Sequence, residues 1–157
     1  MKVFSNTTPF IALASIQRLD LLPQFFGQIH VTEEVIGECA FGGPVVVPPL
    51  REFGWIVPVR TPTQSAPHIL LELDKGEKTT LQAALAEKAD LVLMDEKIGR
   101  NMAEYLGLKV SGTLGILLKA RKAGLIASFR DSARLMRAHG IFFNEKLIDR
   151  LAATVGE

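Results

Sequence analysis

Residues Lys2–Leu13 read KVFSNTTPFIAL. Val3 and Phe4 are apolar and β-prone, and Ser5-Asn6-Thr7-Thr8-Pro9 then interrupts before a second apolar run begins. The pattern predicts a short buried strand followed at once by a helix, with Thr7 or Thr8 as N-cap and Pro9 in its first turn. Asn6 then stands at the end of the first strand. Residues Leu91–Arg100, LVLMDEKIGR, repeat the arrangement, with Asp95 in the matching place.

Working outward, strand and helix signals alternate along the chain. QIHV (28–31) reads as a strand, and Thr32 caps a helix whose first turn holds Glu33 and Glu34, as the helix dipole prefers. FGGPVVVPPL (41–50) is the Gly/Pro-rich connector, followed by a strand at GWIVPV (54–59) that Pro58 limits. GEKTTLQAALAEKA (76–89) is a helix, with Leu81, Ala84, Leu85 and Lys88 at helical spacing. A strand at LKVSG, a helix starting at Thr113 and ending at Gly124, and helices capped by Ser128 and Asn144 complete the series. Strands alternating with helices predict an α/β fold with a parallel sheet covered on both faces.

The 157 residues suit a single domain, 1–157, large enough to bury a core without staples. No apolar run reaches the roughly 20 residues of a membrane span. The first apolar run is broken at Ser5–Pro9 with no cleavage site after it, so no signal peptide is expected. Cys39 is the lone cysteine, which rules out a disulfide framework and a cysteine zinc site, and makes a reducing cytoplasm the default. The net charge of +1 does not bear on nucleic-acid binding.

Ligands of parallel α/β sheets bind at the carboxyl ends of the strands. Asn6 and Asp95 fall there. Glu77 lies four residues before Leu81 and shares its inward face, and Glu38 follows Val35 by three residues. Carboxylates brought together repel one another unless a cation neutralises them. Hard oxygen donors with water access suit Mg²⁺ or Mn²⁺, which activates water for phosphodiester hydrolysis.

The segments VFSNTTPFIALASIQRLDLL, VTEEVIGECA and LDKGEKTTLQAALAEKADLVLMDEKIGRNMAEYLGLKVSGTLGILLKARKAGLI together resemble a PIN-like domain. They are most similar to short prokaryotic PIN-like proteins related to the toxins of toxin–antitoxin pairs. The resemblance covers roughly residues 2–126, and the tail GIFFNEKLIDRLA also fits. It implies a PIN-like three-layer α/β/α architecture with a central, mostly parallel sheet. It also implies Mg²⁺- or Mn²⁺-dependent endoribonuclease activity, cytoplasmic, with dimer formation and silencing by a small antitoxin protein. The family's four acidic positions fall on Asn6, Glu38, Glu77 and Asp95, with Thr7 and Thr113 as polar neighbours. Asn6 departs from the usual Asp. Its amide oxygen can ligate a metal but brings no charge. The alternative is a catalytically weak or inactive PIN-like module that binds nucleic acid or protein.

Plainer roles compete at each position. Asn6 suits a helix cap, Asp95 could cap the helix after it, and Asp74-Lys-Gly-Glu77 has capping-box spacing. Glu38 could be a solvated helix acid, with Glu34 as its rival. Lys97 and Arg100, just past Asp95, are placed to hold an RNA phosphate. Arg130, Arg134 and Arg137 form a stripe that reads as a solvated face and secondarily as a track for a phosphate backbone. His30, His68 and His139 read as surface or strand-edge residues, Cys39 as buried, and Trp55 and the phenylalanines as core, with no aromatic platform for bases. A small-molecule-binding doubly wound domain would need a glycine loop after its first strand, and SNTTPF has none.

Overall fold

The computed structural model describes residues 1–62 and 67–157. Within them the elements run β1 (Val3–Ser5), α1 (Thr7–Ser15), α2 (Leu21–Phe26), β2 (Ile29–Thr32), α3 (Glu33–Phe41), β3 (Ile56–Val59), α4 (Lys75–Ala86), β4 (Leu91–Leu93), α5 (Lys97–Tyr105), β5 (Val110–Ser111), α6 (Thr113–Lys122), α7 (Phe129–Ala138) and α8 (Glu145–Ala153). The strands form one sheet in the order β3-β2-β1-β4-β5. Every pairing is parallel, with Val3 opposite both Ile29 and Leu91. The expected mostly parallel sheet is therefore wholly parallel. β3 is an edge strand, which accommodates Pro58 and its missing N–H.

Alternation along the strands builds two cores. Val3, Ile29, Val31 and Leu93 face one side, packed with Phe10 and Leu13 of α1, Leu117 of α6, Phe129 of α7 and Ile148 of α8. Phe4, Val92 and Met94 face the other, packed with Leu81 and Ala84 of α4 and Ala103 of α5. Fully burying one such side chain contributes about 1.5–3 kcal/mol. The result is a three-layer α/β/α arrangement. Among the described residues no helix is long and apolar enough to cross a membrane.

Caps explain several helix starts. Thr32 accepts from the Val35 N–H, Asp74 from Glu77, Ser128 from Asp131 and Asn144 from Leu147, as expected for Thr32, Ser128 and Asn144. At α1 the cap position is Asn6, not Thr7 or Thr8, and its side chain makes no capping bond. At α6 the cap position is Gly112, and Thr113 is the first helical residue. Glu96, not Asp95, stands at the cap position of α5. In each case the expected capping side chain binds something else, which is what builds the site.

Four further expectations need correction. The arginine stripe is solvated at Arg134, as expected, but is not free to track phosphates: Arg130 pairs with Asp149, and Arg134 and Arg137 with Glu145, which links the rim of α7 to α8. His30 is on an interior strand and stacks on Phe4 with ring centres 5.1 Å apart. Phe41 and Phe142 are exposed, and Trp55 is only partly buried. Lys88 leaves the face of Leu81 and Ala84, because the helix has ended and its φ is +54°. Cys39 is buried as expected, and burial first, then the charge of Glu38, pushes its thiol pKa up to about 12.

Candidate active site

The chain leaves β1 to form β2 and β3 on one side, then returns to add β4 and β5 on the other. β1 and β4 therefore lie side by side at the point where the strand order reverses, the place where such sheets open a crevice. Asn6 leaves the end of β1 and its backbone N–H donates to the Leu93 carbonyl of β4 at 3.2 Å. Asp95 follows β4 by two residues. The topology thus brings the strand ends at Asn6 and Asp95 together.

Asn6 is 2 % exposed. Its Nδ2 donates to Glu96 at 3.1 Å, while its Oδ1 is buried without a hydrogen-bond partner. An orphaned amide oxygen costs about 1–3 kcal/mol, so its retention here needs a reason other than packing. Thr8 also donates to Glu96, which is why the threonine does not cap α1. Thr7 donates to Glu38 instead.

Asp95 is held from one direction. The Thr113 N–H donates to its Oδ1 at 2.7 Å and the Thr113 hydroxyl to its Oδ2 at 2.6 Å. Burial pushes the Asp95 carboxyl pKa up; both Thr113 bonds oppose this, the charge of Glu96 adds to it, and Arg100 counters it. Glu77 is 7 % exposed in the first turn of α4. Burial, then a side-chain hydrogen bond with Asp74, then the charges of Asp74 and Glu96 push its carboxyl up to about 8. The capping-box reading is therefore half right. Asp74 accepts from the Glu77 N–H at 2.8 Å, yet the Glu77 carboxyl is a buried acid among acids.

Three glycines make room for these carboxylates. A Cβ on Gly76 would stand 2.6 Å from Glu38 Oε2, one on Gly99 2.7 Å from Glu77 Oε2, and one on Gly112 2.8 Å from Asp95 Oδ1. Each acid leans against a backbone that carries no side chain. Glu34, the rival of Glu38, instead takes a hydrogen bond from Thr61.

A family model described as a PIN domain matches residues 2–157. The chain is a PIN domain. A solved PilT N-terminus domain protein from the hyperthermophilic archaeon Sulfolobus solfataricus P2 is similar in fold, with a TM-score of 0.59 at 14 % identity, over 76 % of this chain and 93 % of that one. Comparison with curated proteins finds no match.

Within this PIN domain Asn6 and Asp95 follow β1 and β4 at the reversal point, the Glu77 carboxylate lies against Gly99 of α5, and the Glu38 carboxylate lies against Gly76 at the start of α4. Glu96 was not foreseen. In the sequence it is only the first residue of the helix that Asp95 could cap, and the pairing of β1 with β4 is what brings it to Asn6. Every donor is oxygen, and a buried amide oxygen is left unpartnered, which fits a hard divalent cation in kind. Among the described residues, no three of His, Cys, Asp and Glu gather closely enough to hold a metal ion. The carboxylates of Glu38, Glu96 and Asp95 are turned to the hydroxyls of Thr7, Thr8 and Thr113 instead.

Proposed function

We propose that this PIN domain is a metal-dependent endoribonuclease that hydrolyses RNA phosphodiesters. The observation that carries the reading is the buried unpartnered oxygen of Asn6, whose Nδ2 bonds Glu96, the acid whose charge is felt by both Glu77 and Asp95. Asn6, Glu38, Glu77 and Asp95 would hold Mg²⁺ or Mn²⁺. When bound, the ion supplies charge neutralisation at the phosphate and an acidified water.

The chain's own groups have distinct parts. Glu77, buried in the first turn of α4, would give its carboxylate to the ion, whose charge favours the ionised form. Thr113 fixes the direction of the Asp95 carboxylate. Lys97, exposed and without an ion pair among the described residues, and Arg100, next to Asp95, receive the phosphate. The water's oxygen bonds to phosphorus and the bond to the ribose 3′ oxygen breaks, that oxygen leaving with a proton. A cytoplasmic role as the toxin of a toxin–antitoxin pair, as a dimer silenced by a small protein partner, belongs to the same reading and rests on the resemblance.

A second reading is favoured by one observation: among the described residues, no three of His, Cys, Asp and Glu gather closely enough to hold a metal ion. On it, the domain binds nucleic acid or protein with weak or no catalysis. The deciding experiment is cleavage of labelled RNA with Mn²⁺ by the parent and by Asp95→Asn. The nuclease reading expects cleavage that a chelator stops and that the variant loses by about 100-fold or more. Cleavage that survives the chelator, or is equal in both proteins, removes it.

A further inference from the structure

Beside Asp95 lies a cavity of about 510 Å³, between α5, the start of α6 and the connector from α7 to α8. That volume lies within the roughly 300–1,000 Å³ of small-ligand sites. Its wall changes character along its length. Lys97 and Arg100 line it with Asp95, and Phe142, Phe143 and Leu147 contribute apolar wall. Phe143 is 9 % exposed and belongs to the core, whereas Phe142 is 80 % exposed. A phenylalanine so exposed forgoes the burial that drives folding. It is not loose, however: the Arg137 guanidinium lies over its ring, 5.7 Å from the centre.

We propose that this cavity is a nucleobase subsite, in which Phe142 stacks on an unpaired base of an RNA strand whose phosphate lies against Lys97 and Arg100. The proposal deepens the nuclease reading and rests on it for the choice of RNA. One cavity holds what a nucleotide needs: Asp95 of the reacting site, two cations for the backbone and an aromatic face for the base. Every base has a π-face, so stacking on one aromatic ring admits any unpaired base, while a paired base is unavailable to it. A peptide segment would meet the same apolar wall, but nothing in it would call for two cations next to Asp95.

The test is equilibrium binding by the full chain in chelator, which keeps RNA intact. The probes are a single-stranded oligoadenylate, the same length of abasic RNA, and a duplex. Phe142→Ala is expected to weaken oligoadenylate binding by about tenfold or more, with Phe142→Tyr restoring most of it. Abasic RNA should bind parent and Phe142→Ala alike, and the duplex should bind more weakly than the single strand. Equal oligoadenylate affinity in parent and Phe142→Ala, or the same loss on abasic RNA, overturns the subsite, and so does failure of the parent to bind the single strand, which would leave the wall to a peptide. Circular dichroism melting of both variants checks that they are folded. Base-dependent binding without cleavage would retain the subsite and remove the nuclease reading; Asp95-dependent cleavage with no effect of Phe142 would do the reverse.

Discussion

Thr113 grips both carboxylate oxygens of Asp95, one through its backbone and one through its hydroxyl. The two residues are 18 apart in sequence and are joined across the ends of β4 and β5. The grip sets where the acid points, and it comes from the first residue of α6.

Thr113→Val keeps the shape and the backbone bond but deletes the hydroxyl. Losing a hydrogen bond to a charged group should cost about 1.5–3 kcal/mol of stability, read as a lower urea midpoint. If Asp95 works in the site, cleavage should fall by about tenfold or more. Thr113→Ser should recover most of both. Unchanged cleavage in Thr113→Val would show that the orientation of Asp95 is irrelevant.

Glu77 should make the metal-free protein weaken toward alkaline pH. Its folded pKa of about 8 lies above the value near 4.3 expected in an unfolded chain. Below about pH 4 the group is protonated in both states and adds nothing. Between about 4 and 8 the folded state holds a proton that the unfolded state releases, so stability falls as pH rises through that window. The fall is on the order of a few kcal/mol and should be absent in Glu77→Gln, measured by chemical denaturation in chelator. Parallel pH profiles for the two proteins would refute the burial argument.

Asn6→Asp should act in opposite directions with and without a cation. The substitution deletes the Nδ2 donor to Glu96 and puts a carboxylate in its place. In chelator the melting temperature should drop, since two acids then face each other. Addition of Mn²⁺ should restore it, and calorimetry should show tighter Mn²⁺ binding than in the parent. No gain in Mn²⁺ affinity would mean that position 6 does not touch the ion.

Glu157 ties the end of the chain to the start of α7. Burial alone would raise its carboxyl pKa, but the Ser128 hydroxyl, the N–H groups of Arg130 and Phe129, and Arg121 outweigh this and hold it down at about 2. A depressed folded pKa gives stability that is complete above about pH 4.3 and disappears as pH falls toward 2. Glu157→Gln should therefore lower the urea midpoint at pH 7, while at pH 2 the two proteins should unfold alike.

The alternation of elements and the two strand ends could be read directly from the chain, because short apolar runs closed by a polar residue have few other meanings. Asn6 and Asp95 were placed at strand ends for that reason, and Glu77 was placed on the buried face of its helix by its spacing from Leu81. Glu96 was not: its partner Asn6 is 90 residues away, and the bond exists only because β4 lies next to β1. Helix spacing placed Arg130, Arg134 and Arg137 on one face correctly, but the acids of α8 that pair with them come from a different period and could not be matched without tertiary packing. His30 was misplaced because strand order, not strand pattern, decides which strand is an edge.

Gly76, Gly99 and Gly112 each leave a space that a carboxylate fills. This site is thus vulnerable to addition as much as to deletion. One methyl group at Gly76 would push on the Glu38 carboxylate, and one at Gly99 or Gly112 would push on Met94 and Glu77 or on Arg100 and Asp95, side chains that the mutation itself never alters. Genetic drift could therefore disarm the domain while every charged residue still reads as intact, and a homologue with alanine at such a position would be a poor choice for inferring activity from its acids alone.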